Sequence, residues 1–290
     1  MQESHFSFAL TTGGTVVPTV SGSFSFISSC LIMITILRSK QNTPYHRIIF
    51  FMSFWDSIAS FSVALTTLPL PSDVVYDYAG PSYGNIASCE AQAFIISMAT
   101  PLLLLSNILL NIYYLCIIRY NVEQDTFRKY AEPIFLLVAI PLSLYQPIFF
   151  ATKQALNPSP YYPFCLIDVY PRECLEDNDI ECIRGDTDTH RLSLLFVAIP
   201  VGIQMCILIL TMLLIVHATY FRNESSEEKS AIAFQAFLYI CACCITWGFA
   251  AMFSFKKTKT LNLLTLLFVP LQGFFNLLIF VSQGSRIQSV

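Results

Sequence analysis

Seven long apolar segments dominate this sequence of 290 residues. Each holds at least about 18 residues and, apart from Asp56, no charged side chain, which is the pattern of a membrane-crossing segment. At about 1.5 Å per helical residue, each could cross a hydrocarbon core of about 30 Å. The predicted spans are Val16–Leu37, Ile48–Pro71, Ala91–Ile118, Pro133–Ala151, Leu192–His217, Ala231–Phe255 and Leu261–Ser282.

These spans predict helices, because a backbone in lipid must satisfy its own hydrogen bonds and the runs lack the alternation of barrel strands. Hydrophobic residues make up 55% of the chain and charged residues 12%, so a soluble domain is excluded. A net charge of −3 argues against nucleic-acid binding. We therefore expect an all-α membrane protein, with residues 1–290 forming one seven-transmembrane helical bundle in the lipid bilayer.

The positive charges give a weak preference for orientation. With the N-terminus outside, the inner segments hold nine Lys and Arg residues and the outer segments hold seven. Because short cytoplasmic loops carry an excess of Lys and Arg, this favours an outside N-terminus.

Four cysteines lie outside the spans: Cys89, Cys165, Cys174 and Cys182. All four fall on the predicted outer face, as expected for disulfides formed in an oxidising exterior. Four cysteines allow three pairings. We favour Cys89 with Cys165, and Cys174 with Cys182.

Asp56 is the most informative polar residue within the predicted spans, because charged groups in a membrane are costly. It could bind a cation, or act as a protonation switch with amides such as Asn107, Asn111 or Asn276. The alternative is a protonated acid that hydrogen-bonds for helix packing. We expect a functional role.

The third and seventh spans contain further candidates. Arg119 directly follows the third span, where an interface anchor is the ordinary explanation, and Tyr113, Tyr114 and Tyr120 fit an aromatic belt equally well. In the seventh span, Pro270 and Gly273 favour a kink or hinge, although kinked packing explains them too.

Together these features resemble the G-protein-coupled receptor superfamily. Arg119-Tyr120 is similar to the end of the rhodopsin-like Asp-Arg-Tyr motif, and Ser53-x-x-Asp56 to that family's sodium-site segment. Cys89 opens the third span, and Trp247 is placed like the toggle tryptophan. Residues 272–276, Gln-Gly-Phe-Phe-Asn, are more similar to the seventh span of secretin-like and cAMP-receptor groups.

The resemblance implies a plasma-membrane receptor that transmits an extracellular ligand signal to a cytoplasmic heterotrimeric G protein. Arg119 and Tyr120 would contact the G protein. Asp56, Asn107, Asn111, Trp247, Pro270 and Asn276 would form the conformational switch. Ile118 stands where the rhodopsin-like motif has its acid, so the usual arginine–acid lock cannot form. No cofactor is implied.

The main alternative is a membrane transporter or channel. Substrate coupling usually needs several charged or helix-breaking positions near mid-membrane, often repeated in two halves. The predicted spans hold one carboxylate and no Lys or Arg. We expect no enzyme activity, because the four histidines are scattered and no metal-ligand or Gly-x-Ser-x-Gly pattern occurs.

Overall fold

The computed structural model describes residues 8–175, 179–193, 195, 199–221 and 227–287. Most of these residues are helical. The helices are α1 (Thr12–Ser39), α2 (Pro44–Ala64), α3 (Ile86–Tyr120), α4 (Gln124–Thr152), α5 (Thr187–Ser193), α6 (Ile199–Phe221), α7 (Glu227–Phe255), α8 (Lys259–Phe268) and α9 (Gln272–Ile287). Short 3-10 helices cover Phe8–Leu10, Arg172–Leu175 and Val269–Leu271.

Within the described residues, six helical segments are long and apolar enough to cross a membrane. They are α1, α2, α3, α4, Ser230–Phe255 within α7, and Lys259–Ser282, which joins α8 to α9. α6 is also apolar, over the shorter stretch Gly202–Ala218. The chain therefore has the helices of a multi-pass membrane protein.

Local capping fixes where several helices begin and end. The Thr11 and Thr43 side chains accept from the backbone N–H of Gly14 and His46 at the starts of α1 and α2. Asn85 and Ser88 cap α3 reciprocally. α1 and α3 both end on a residue in the left-handed conformation, as helices commonly do.

The second predicted span, Ile48–Pro71, is wrong after Ala64, where α2 ends. Thr66 has a φ of 45°, and its N–H bonds to Val63 O in a turn. Pro69 and Pro71 follow, and a proline disfavours the helical conformation of the residue before it. The predicted span extends past the helix because residues 65–71, which form the turn, contain no charged side chain.

α4 begins at Gln124, nine residues before the predicted start at Pro133. Glu132 therefore lies inside a helix, and only 6% of it is exposed. The predicted fifth span, Leu192–His217, also differs, because α5 ends at Ser193 and α6 begins at Ile199. Residues 194 and 196–198 of that span lie outside the described residues.

α3 is the central helix and packs against α2, α4, α6 and α7, whereas α1 packs against α2 and α9. Apolar side chains on the outer surface remain uncovered, and on α4 they include Ile134, Val138 and Leu137, the last of which is 75% exposed. An uncovered apolar surface of this kind suits a lipid environment.

A short antiparallel hairpin of β1 (Leu156–Ser159) and β2 (Tyr162–Ile167) packs at one end of the bundle. α2 and α4 end there, and α3 begins there. We name this the hairpin end. The opposite end, where α2 and α4 begin and α3 finishes, is the Arg119 end. At this end the hairpin contacts α3, α1 and α4.

Candidate functional site

Asp56 is the centre of a buried polar cluster between α1 and α2. Only 2% of the residue is exposed. Its Oδ2 atom accepts hydrogen bonds from the hydroxyls of Ser29 at 2.6 Å, Ser25 at 3.1 Å and Ser60 at 3.3 Å. Three donors on one oxygen compensate for much of the cost of burying a carboxyl group. The functional role expected for Asp56 stays a prediction, and its bonds to serines are also the arrangement that the helix-packing alternative describes.

Gly273 brings α9 into direct contact with this cluster. Its N–H donates to Ser25 Oγ at 2.8 Å. A Cβ atom at this position would overlap Asp56 Oδ2 and Ser29 Oγ, so only glycine fits without rearrangement. The contact unites α1, α2 and α9, and we call Ser25, Ser29, Asp56, Ser60 and Gly273 the aspartate junction.

The helix break at Pro270 lies immediately before the junction. Val269–Leu271 forms a 3-10 turn between α8 and α9, and Pro270 itself is buried. Proline lacks the N–H that a continuous helix would use, which accounts for the interruption. The expected irregularity in the seventh predicted span is present, and its role as a hinge stays a prediction.

The first turn of α9 also contacts α7. Thr246 Oγ1 donates to Gln272 Oε1 at 2.5 Å, and Gln272 Nε2 donates to Asn276 Oδ1 at 3.2 Å. The Asn276 Nδ2 atom is buried with no partner among the described residues. One helical turn therefore joins α7 to the aspartate junction.

Asn107 and Asn111 do not pair with Asp56 in this structure. Their Nδ2 atoms donate to carbonyls of α3, Leu103 O at 3.1 Å and Asn107 O at 2.7 Å. The Oδ1 atoms of both residues have no partner among the described groups. The partners of Asp56 are serines, which the sequence prediction did not name.

Trp247 lies on α7 and is half-buried. It packs against an apolar cluster that includes Leu104, Leu208 and Cys243, which come from α3, α6 and α7. Its Nε1 atom is buried without a hydrogen-bond partner within the described part of the chain. Trp247 is therefore a contact between three helices.

The aspartate junction also supplies the oxygen ligands that a hard cation would use, namely the carboxylate and three hydroxyls. Among the described residues there is no group of three or more His, Cys, Asp or Glu side chains that could hold a metal ion. A sodium ion at Asp56 stays a prediction, with Ser25, Ser29 and Ser60 as the additional ligands.

Arg119 and Tyr120 lie at the last turn of α3. Tyr120 is 62% exposed, and Arg119 Cζ is 5.6 Å from its ring centroid. Arg119 forms no ion pair with any described residue. Tyr113 and Tyr114 are buried instead of lying in an aromatic belt, so the belt interpretation is wrong for these two.

A second buried polar cluster lies close to the Arg119 end, and the sequence analysis did not find it. Gln235 Nε2 donates to Tyr45 OH at 2.8 Å, and the hydroxyls of Tyr45 and Tyr239 are 3.2 Å apart. Tyr45 begins α2, whereas Gln235 and Tyr239 belong to α7. These three residues, named here the tyrosine latch, join α7 to α2.

At the hairpin end, Cys89 is bonded to Cys165 and Cys174 to Cys182, which is the pairing that the sequence analysis favoured. Gln92, one turn after Cys89, reinforces the first disulfide. Its Oε1 accepts from Cys165 N–H at 3.0 Å, and its Nε2 donates to Ser62 O and Thr66 O at 3.0 Å each. The hairpin is thus tied to both α2 and α3.

Buried tyrosines hold the loop after α2 against the hairpin. Tyr78 OH donates to Ser159 O at 2.6 Å, and Tyr76 OH accepts from Arg172 N–H at 2.8 Å. Burial raises the pKa of both phenols well above the usual value for tyrosine. Both side chains therefore stay neutral at physiological pH, and their bonds do not depend on it.

The hairpin tip is also connected to α8. Asn262 accepts from Ala9 N–H at 3.1 Å and donates to Tyr161 O at 2.8 Å. Lys257 Nζ is 4.0 Å and Arg172 Cζ is 5.0 Å from the Tyr161 ring centroid. Such cation–π contacts are each worth about 0.5–1 kcal/mol at exposed sites.

No model of a known protein family matches this chain, and no curated protein matches it.

Proposed function

We propose that the protein is a G-protein-coupled receptor of the plasma membrane, which passes an extracellular ligand signal to a cytoplasmic heterotrimeric G protein. In this proposal α6 is the seventh crossing, since its 23 residues would extend over roughly 34 Å. The hairpin end is outside, because its two disulfides suit an oxidising compartment. The N-terminus is then outside and the Arg119 end is cytoplasmic.

The observation that carries the proposal is that α7 is hydrogen-bonded to neighbouring helices at two positions along its length. Thr246 bonds to Gln272 of α9, and the tyrosine latch bonds α7 to α2. A neutral hydrogen bond contributes only about 0.5–1.5 kcal/mol net. A ligand that couples two sites typically supplies about 1–3 kcal/mol. The hydrogen bonds that hold α7 are therefore weak enough for the binding energy of a ligand to break them, as required of a helix that moves when a ligand binds.

In the proposed mechanism, a ligand outside stabilises an arrangement in which α7 moves away from α2 at the Arg119 end. The ligand can do so only by binding this arrangement more tightly than the closed one. Asp56, Asn107, Asn111, Trp247, Pro270 and Asn276 would adjust as the closed and open arrangements exchange. Opening would uncover the surface around Arg119 and Tyr120 for the G protein.

Recruitment of a panel of Gα subunits to the expressed protein tests this proposal. We expect a signal for at least one subunit, and we expect Arg119→Ala to reduce it at least about tenfold, because a lost charged hydrogen bond costs about 1.5–3 kcal/mol. Lys129→Ala is the matched control, since Lys129 is an exposed cation on α4 at the same end.

Two results would contradict the proposal. One is an absence of recruitment together with uptake or current in a transport assay, which would favour a transporter or channel. The other is that tags on both termini are accessible from the same side of intact cells, because an odd number of crossings places them on opposite sides.

The tyrosine latch gives a second prediction in the same assay. Tyr45→Phe removes the hydroxyl that contacts both Gln235 and Tyr239. Loss of two neutral hydrogen bonds, about 1 kcal/mol each, should shift the equilibrium toward the open arrangement by roughly tenfold to thirtyfold. We expect recruitment without ligand to rise. Tyr130→Phe serves as the control, because Tyr130 lies on α4, is 58% exposed and is not part of the latch. An equal rise for both variants would contradict the role of the latch.

A further inference from the structure

A cavity of about 470 Å³ lies at the Arg119 end between α1, α2 and α4. Its inner wall is apolar and includes Phe51 of α2, Leu109 of α3 and Phe135 of α4. Leu37 of α1 and Leu136 of α4 flank it, and both are exposed on the outer surface of the bundle. The cavity is therefore bordered by the surface that faces lipid in a membrane.

The other wall of the cavity is polar and contains an ion pair whose carboxylate is buried. Arg47 Nε of α2 is 2.8 Å from Glu132 Oε2 of α4. The second carboxyl oxygen, Glu132 Oε1, is buried and has no hydrogen-bond partner among the described residues. A buried acceptor without a donor costs about 1–3 kcal/mol, and more if it is charged. Glu132 lines the cavity, so a small rotation of its side chain would let this oxygen accept a hydrogen bond from a ligand there.

Cations complete the polar wall. Lys40, the residue after α1, lines the cavity and forms no ion pair with a described residue. The Arg47 side chain is 44% exposed despite its bond to Glu132. Lys40 and Arg47 together outweigh the single negative charge of Glu132, so this wall favours an anion. Both cations lie at the helix ends, where phosphate groups of a bilayer are found.

We infer that this cavity binds one anionic phospholipid whose headgroup carries a hydroxyl or ammonium donor. The lipid phosphate would lie between Lys40 and Arg47, and the headgroup donor would bond to Glu132 Oε1. The first part of an acyl chain would cover Phe51, Phe135 and Leu136. This inference does not depend on the receptor proposal, because it requires only a membrane-embedded bundle.

Native mass spectrometry of the delipidated full chain in detergent tests the site. We expect phosphatidylinositol to remain bound more tightly than phosphatidylcholine with the same acyl chains, because phosphatidylinositol carries a net negative charge and hydroxyl donors and phosphatidylcholine carries neither. Lys40→Gln should weaken phosphatidylinositol binding about fivefold, which corresponds to about 1 kcal/mol for one lysine at a lipid phosphate. Lys129→Gln, which makes the same charge change outside the cavity, should leave binding unchanged.

Leu136→Trp provides an independent test, because it fills the apolar part of the cavity and retains every charge. We expect it to weaken phosphatidylinositol binding as well. Equal retention of the two lipids, or unchanged binding in both Lys40→Gln and Leu136→Trp, would overturn the inference. Soluble inositol phosphate is the competitor. Failure to displace the lipid supports a lipid site, and displacement at equal concentration would show a site for soluble anions instead.

Discussion

Substitution of Gly273 by alanine is expected to lower the melting temperature of the purified protein by several degrees. The added Cβ would overlap Asp56 Oδ2 and Ser29 Oγ, and it would separate the Gly273 N–H from Ser25. Overpacking of a close-packed interior costs about 1–3 kcal/mol. Here it would also disturb the hydrogen bonds that satisfy a buried carboxyl group. Thermal unfolding in detergent, followed by circular dichroism, measures the change.

Gly248→Ala is the matched control for this prediction. Gly248 lies within α7, and a Cβ at that position would have no neighbouring atom within 4 Å. Because alanine is favoured over glycine in a helix by about 1 kcal/mol, this variant should melt at or slightly above the temperature of the wild type. If the two variants melt together, the close contact between α9 and Asp56 does not exist.

Loss of the disulfide between Cys89 and Cys165 is the second large effect that we expect. The bond joins residues separated by 76 positions, and closing a loop of that length stabilises the folded state by about 4–5 kcal/mol in the chain-entropy treatment. Cys89→Ser should therefore unfold at a much lower temperature. Cys165→Ser and the double variant should match it, since all three remove the same bond. The same thermal unfolding measurement applies.

The remaining cysteines supply controls. Cys174→Ser removes a bond across a separation of 8, for which the same treatment gives only roughly 2.5 kcal/mol. Cys206→Ser should have little effect, because that thiol is free and exposed. A double variant far less stable than either Cys89→Ser or Cys165→Ser would show that the two sulfurs do not form one bond.

Most of the helical architecture could be predicted from hydropathy alone, because a long apolar segment has few alternatives in a bilayer. The ends could not. Ile48–Pro71 was extended too far since the turn after Ala64 is as apolar as the helix before it. Glu132 falls outside the predicted span Pro133–Ala151 because an uncharged segment ends, by definition, at the first carboxylate. The structure shows that this carboxylate is buried within α4 and paired with Arg47.

The part of the candidate site that depends on residue type could be predicted from the sequence. The part that depends on which helix faces meet could not. Asp56 could be placed in the interior because ionisable groups in membranes avoid lipid. Its partners Ser25 and Ser29 are one helical turn apart, but serine is common in these helices, and nothing local indicates which serines face α2. The tyrosine latch was missed for a similar reason, since a tyrosine near a helix end fits an interface as well as a buried contact.

The break at Val269–Leu271 divides the last long helical segment into two parts with different attachments. α8 is hydrogen-bonded through Asn262 to Ala9 and Tyr161. α9 is hydrogen-bonded to the aspartate junction and to Thr246. The two halves are thus bonded to different parts of the fold. The hinge role predicted for Pro270 implies that a shift of the hairpin, to which α8 is bonded, would change the angle between α8 and α9 and with it the distance from Gly273 to the Asp56 carboxylate.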